Sequence, residues 1–294
     1  IPSQALFGQL LIGLINGSFY ALLSLGLAVI FGLLNIINFS HGAQYMLGAF
    51  VAYLGLNKLG VNYWLALVLT PFIVGASGVL IERTMLKQLY KLDHLYGLLL
   101  TFGLALIIQG LFRNEFGSSG MPYPVPEVFQ GAFNTGFMFL PKYRAWVIVA
   151  SLLVCISTWY VIERTKLGGY LRAATENPSL VQAFGINVPR MIFYTFAINA
   201  LLAAAAALLV TPTYLAKFDM GEGLGTKAFF AAIIGGFNNS RGALLGGVIV
   251  GVAENLAAAY ISPAYKDAVA LVIFMIVILF KPQGLLGKKE ERKV

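Results

Sequence analysis

"GLINGSFYALLSLGLAVIFGLLNIINFSHGAQYMLGAF", residues 13–50, contains no Asp, Glu, Lys or Arg. A helix of roughly 20 apolar residues crosses a hydrocarbon core, so this stretch is long enough for nearly two passes. NFSHGAQ (38–44) interrupts it with an amide, a hydroxyl and an imidazole. The rest of the chain has the same character. Of its 294 residues 59% are hydrophobic and 11% charged, and the mean hydropathy is +0.82. Soluble domains carry about 25% charged residues, so this composition cannot cover a water-exposed surface and implies an integral membrane protein.

Apolar runs recur near residues 6–34, 42–57, 63–81, 95–112, 144–162, 191–211, 227–238, 243–259 and 268–280. Alternating ten-residue strands are absent, which argues against a barrel. Lipid offers no partner to backbone groups, so the spans must be helices. The expected fold is all-α, a polytopic bundle of about eight to ten membrane helices. The runs at 42–57, 227–238 and 268–280 are short enough to be tilted, re-entrant or broken. The chain reads as one transmembrane domain over residues 1–294. No signal with a cleavage site is evident, so the first span is expected to direct insertion itself. The single cysteine, Cys155, excludes an internal disulfide.

The net charge of +8 does not point to nucleic acid, because every cation lies in or beside a gap between apolar runs. With a cytoplasmic C-terminus, 13 of the 20 Lys and Arg fall on the inner side, as the positive-inside rule favours. This places the basic loop 163–190 inside and the Pro- and Gly-rich loop 113–143 outside.

Several polar residues within the runs are candidates for a translocation path. Asn16, Tyr20 and Ser24 are spaced by four and share a helix face. They either line a polar passage or join the small residues Gly13 and Gly17 in a packing surface. Glu254 is the one acidic residue inside an apolar run. A charge at mid-bilayer costs roughly 2.5–3.5 kcal/mol, so it either bonds a neighbouring helix or lines a passage. Asn38 and Ser40 can cap a helix starting near His41, and a helix start within the membrane attracts an anionic group. The alternative is an ordinary interfacial turn. NFSHGA (38–43) is echoed by NNSRGA (238–243), a spacing that a structural repeat or two similar helix starts would produce.

No pair of reactive side chains is apparent. His41 and His94 lack metal-ligand spacing, and no G-x-x-x-x-G-K-[ST] stretch exists to hold ATP. The loop 163–190 is more informative. Asn177 suits an N-cap, Pro178 a first helical position and Gly185 a stop. The spacing predicts a two-turn helix over 178–184 with Leu180, Val181 and Phe184 on one face. So short a helix is unstable alone and needs a groove in a partner or a seat on its own bundle.

The stretch 167–190 resembles the coupling loop of ABC-importer permeases. Residues 13–50 look like the first segment of branched-chain amino acid permeases. "GTKAFFAAIIGGFNNSRGALLGGVIVGVAENLAAAYIS" (225–262) and "YKDAV…KPQGLLG" (265–287) resemble the end of LivH-type permease subunits. The resemblance implies an ABC-importer permease fold in the bacterial inner membrane. It further implies a LivM-like second permease, two ABC ATPase subunits that carry ATP and Mg, and a periplasmic binding protein. The chain itself would bind no cofactor and catalyse nothing. Arg172, Glu176, Asn177, Pro178, Leu180, Val181, Phe184 and Gly185 would couple to the ATPases. The implied cargo is leucine, isoleucine, valine or another amino acid. Urea or a short amide is the alternative, and an ATP-independent transporter or channel a further one.

Overall fold

The computed structural model describes residues 3–34, 41–85, 88, 94–134, 139–212, 216, 220–236 and 240–287. The helices are α1 (Ser3–Leu34), α2 (His41–Leu59), α3 (Tyr63–Thr84), α4 (His94–Phe116), α5 (Lys142–Arg164), α6 (Lys166–Glu176), α7 (Pro178–Ala183), α8 (Val188–Val210), α9 (Met220–Gly235), α10 (Ser240–Tyr260) and α11 (Lys266–Phe280). Each of the nine apolar runs forms a helix. Among the described residues seven are long and apolar enough to cross a membrane: α1, α3, α4, α5, α8, α10 and α11 with its preceding turn. The chain is therefore an all-α polytopic membrane protein. α2 and α9 fall outside the seven on length or hydropathy alone, and both come from runs expected to be tilted, re-entrant or broken. The 16 residues of α9 reach about 24 Å at 1.5 Å per residue, short of the hydrocarbon thickness.

The centre of the bundle is α1, α8 and α10, while α4 and α11 lie at the periphery, α11 with 6% of its span enclosed against 67% for α1. Small residues decide this. α1 and α10 run antiparallel. A Cβ on Gly13 would stand 2.8 Å from the Val252 backbone, and one on Gly17 2.9 Å from that of Val248. From the other side, Gly247 abuts the Ala21 backbone and Gly251 abuts Gly17, with no room for a side chain. A second glycine face of α10 meets α9, where Gly246 lies against the Ala231 carbonyl and Gly235 of α9 against that of Gly242. The alanine run of α8 works likewise. Ala203, Ala204, Ala206 and Ala207 are fully buried, and a Cβ on Gly48 of α2 would be 3.0 Å from Ala207 Cβ. Such close approach compensates for the missing hydrophobic drive between helices in lipid.

Loops add specific seals. The loop after α4 is less exposed than its Pro-rich sequence suggests. Met121 exchanges backbone hydrogen bonds of 2.8 and 2.9 Å with Ala216, and Tyr123 is buried against Tyr63. That burial, reinforced by Tyr63, pushes the Tyr123 hydroxyl up to about 12. The loop also contains a short antiparallel hairpin pairing Ala132–Asn134 with Phe139–Pro141. The Tyr143 hydroxyl lies 3.1 and 2.7 Å from the Leu208 and Leu209 carbonyls at the end of α8, groups that a helix terminus leaves unsatisfied. At the opposite end, the segment after α11 folds back onto α9, with Leu285 N–H donating to Ile234 O (2.9 Å) and Leu286 N–H to Gly235 O (3.0 Å).

These contacts yield a comparison between two glycines. Gly251→Val is expected to lower the thermal midpoint of the purified protein by several degrees and to reduce yield. Gly103→Ala has open space around it and is expected to be neutral or to stabilise by up to about 1 kcal/mol. Equal midpoints for the two variants would show that the α1–α10 contact does not hold the bundle.

Candidate translocation and coupling sites

The α1–α10 contact fixes where the polar residues of α1 point. Asn16 is half-buried. Tyr20 and Ser24 are buried and committed to α10. The Ser24 hydroxyl donates to the Ala243 carbonyl at 2.7 Å, and the Tyr20 hydroxyl donates to Glu254 Oε2 at 2.9 Å. Glu254, 1% exposed, lines no open passage in this state. Its Oε1 and Oε2 lie 3.2 and 3.3 Å from Lys227 Nζ of α9. The same ammonium reaches Asp267 Oδ1 of α11 at 2.9 Å and stands 5.7 Å from the Tyr20 ring centre. Four helices thus meet on one cation. Its buried half is the consequential one, because an unpaired carboxylate there would have no solvent. The Asp267 half is 83% exposed, and exposed pairs contribute little.

A second polar cluster forms where α1, α2, α3 and α8 converge. α2 begins at His41; Asn38 and Ser40 lie outside the described residues. The His41 ring is 1% exposed and occupies space that Gly26 of α1 leaves open, since a Cβ there would stand 2.6 Å from Cε1. Asn199 of α8 donates through Nδ2 to Gln44 Oε1 at 3.0 Å. A Cβ on Gly78 of α3 would crowd the Gln44 amide at 3.1 Å. Both His41 nitrogens and Asn199 Oδ1 are buried, and the ring has the Leu23 backbone and the Asn199 side chain as its polar neighbours without closing a well-formed hydrogen bond to either. Such groups are costly in an apolar interior.

Lys227, Asp267, Gln44 and Asn199 escaped the sequence reading. Lys227 and Asp267 sit at the edges of apolar runs and pass for loop charges. Asn199 is the one amide in the alanine-rich run 197–210, which is the signal that could have found it.

The loop between α5 and α8 forms α6 and α7. Asn177 Oδ1 accepts from Leu180 N–H at 3.0 Å, Pro178 occupies the first turn, and Gly185 ends the helix at φ +86. Gly185 N–H bonds Gln182 O and Ile186 N–H bonds Val181 O, each at 3.1 Å, the paired closure of a Schellman motif. Val181 does not share an exposed face with Leu180 and Phe184. It is buried with Leu171, Ala174 and Met191. One residue of helix is a turn of about 100°, which separates Val181 from its neighbour Leu180. Leu180 and Phe184, four apart, remain 53% and 77% exposed. Arg172 pairs with Glu163 at 3.5 Å, and Glu176 closes α6.

The fold is a polytopic helical membrane bundle that carries a capped two-turn helix between α6 and α8. The sequence matches, over residues 9–278, the family described as branched-chain amino acid transport system / permease component, and the chain belongs to that family. It is 32% identical to the high-affinity branched-chain amino acid transport system permease protein BraD of Pseudomonas aeruginosa, over 97% of each chain. It is 31% identical to LivH of Escherichia coli over 97% of each. A more distant likeness, 26% over 91% of this chain and 67% of the relative, links it to LivM of Salmonella typhimurium, a second permease protein of such a system.

The cation at the centre of the ion network invites a double substitution. Lys227→Met strands the Glu254 carboxylate and is expected to cost about 3–5 kcal/mol, read as a loss of thermal stability in detergent. Adding Glu254→Gln should recover most of the loss. An equally unstable double variant would show that packing around Lys227, not charge compensation, dominates.

Proposed function

We propose that the chain is one permease domain, the membrane subunit of an ATP-driven importer for branched-chain or related amino acids in the bacterial inner membrane. Its C-terminus would face the cytoplasm and its 113–143 loop the periplasm. The distribution of cations between the two sets of loops supports this orientation. The observation that carries the reading is the exposed apolar pair Leu180 and Phe184 on a six-residue helix fixed at both ends. Apolar side chains held out from the bundle on a rigid knob suit a groove in a partner. The family and the LivM likeness supply the partner set: a LivM-like permease, two ATPase subunits and a periplasmic binding protein.

In this reading the ATPase subunits bind ATP and Mg and hydrolyse the ATP, and this chain holds no cofactor. Closure of the ATPases would pull on Phe184 and Leu180. Val181, Leu171, Ala174 and Met191 tie α7 to α6 and α8, so the pull reaches α8 as a rigid displacement. α8 carries Asn199, and with it the His41–Gln44 cluster. Rocking of α8 against α1 and α2 would therefore alter the surroundings of the buried His41 ring as access alternates. Selectivity would rest chiefly on the binding protein, with apolar walls and few polar groups along the path.

Phe184→Asp is expected to lower ATP-driven leucine uptake in reconstituted vesicles at least tenfold, equivalent to the roughly 1.4 kcal/mol of one decade, while the permease keeps its thermal midpoint. Uptake at the unmodified rate would remove α7 from the coupling path.

A further inference from the structure

A cavity of about 390 Å³ lies between the second half of α2 and the first half of α3. Its walls are Val51, Leu54, Leu69 and Ile73, and Lys58 stands at one end. Its floor is made by Ala52 and Ala66, each 2% exposed. Leu69 and Ile73 are largely exposed, so the cavity is a groove open along its side. α3 is one of the membrane-spanning helices, so the opening faces hydrocarbon. From Lys58 to Val51 the groove runs about 10 Å along the helix.

The end marked by Lys58 lies at headgroup depth. At the same end of α3, Trp64, Trp146 and Phe129 form an aromatic cluster, with ring centres 5.2–5.7 Å apart. Aromatic belts of this kind sit at the membrane–water interface. Walls so apolar do not retain water, and an empty groove forfeits dispersion contacts. A covering protein helix would have to enclose the Lys58 ammonium, which forms no ion pair among the described residues. No carboxylate lines the groove to compensate it.

We propose that this groove is a phospholipid site: one acyl chain lies between α2 and α3, and the lipid phosphate pairs with Lys58. The aliphatic stem of Lys58 covers the upper wall while its head reaches the phosphate. Gly55 keeps the groove open. A Cβ at Gly55 would make an ordinary 3.6 Å contact with Val61, so a larger side chain there fills the groove without forcing the backbone apart. The proposal is independent of the cargo and of the coupling helix.

The test uses the assembled transporter in nanodiscs of phosphatidylethanolamine containing phosphatidylglycerol with a photoactivatable diazirine in its acyl chain. Adducts are mapped by peptide mass spectrometry. Residues 51–73 are expected to be labelled well above the equally exposed lipid-facing residues of α11. Gly55→Phe should reduce that labelling to the α11 level. Lys58→Gln, a surface change with little effect on folding, should reduce it about fivefold, the weight of one cation at an anionic membrane surface. Two results would overturn the site: labelling of the groove no stronger than that of α11, or labelling unchanged in both variants.

Discussion

Inside a bilayer one apolar surface gains little by exchanging lipid for another apolar surface, so the bundle depends on how closely its helices can touch. The decisive contact is α1 against α10, where Gly13, Gly17, Gly247 and Gly251 bring backbone onto backbone. It sets the rotation of both helices about their axes. Once Gly17 faces Gly251, Tyr20 one turn away reaches Glu254 and Ser24 reaches the Ala243 carbonyl. The polar bonds across this interface are thus consequences of the glycine contact. They hold a register that packing has already selected.

The same constraint explains how a helix as short as α9 persists. It is held by other elements from its middle to its C-terminal end. At its middle Lys227 joins it to α10 and α11. In its second half Phe230 lies on Phe274 of α11 with ring centres 4.7 Å apart. At its end the Ile234 and Gly235 carbonyls accept from the backbone of Leu285 and Leu286. Those carbonyls would otherwise belong to the unsatisfied last turn. The glycine-rich segment after α11 lies so close to Gly236 that side chains would not fit between them. α9, α10 and α11 consequently form one unit secured by charge, aromatic contact and main-chain bonds.

Much of this was legible in the chain, for identifiable reasons. Apolar length locates helices because lipid permits little else, and all nine runs became helices. Caps are equally readable, since Asn177, Pro178 and Gly185 act through local backbone geometry and need no tertiary contact. Glycine pairs announced the α1 and α10 surfaces, though not that each would meet the other. What sequence could not supply was partnership across distance. Glu254 was visible as an anomaly, but its partner Lys227 sits at a run's edge and reads as a loop cation. Asn199 was obscured by the alanines around it. Val181 was placed on the wrong side of α7 because a six-residue helix offers too few positions to distinguish an inward face from an outward one. Only the adjoining Leu171 and Met191 decide it.

The two polar clusters differ in what they still have to give. Around Glu254, both carboxylate oxygens lie within 3.3 Å of one ammonium, and a tyrosine hydroxyl occupies Oε2 as well. A molecule entering there would first have to separate a buried ion pair, which leaves two uncompensated charges. Around His41 the balance is reversed. The His41 ring and the Asn199 carbonyl oxygen have only weak, uncharged polar neighbours, each other and the Leu23 backbone. Gly26 and Gly78 supply the space these side chains occupy. The uncharged α1–α2–α8 junction and the Lys227 network thus lie on different faces of α1, the first held by small residues and a single amide pair, the second by buried charge.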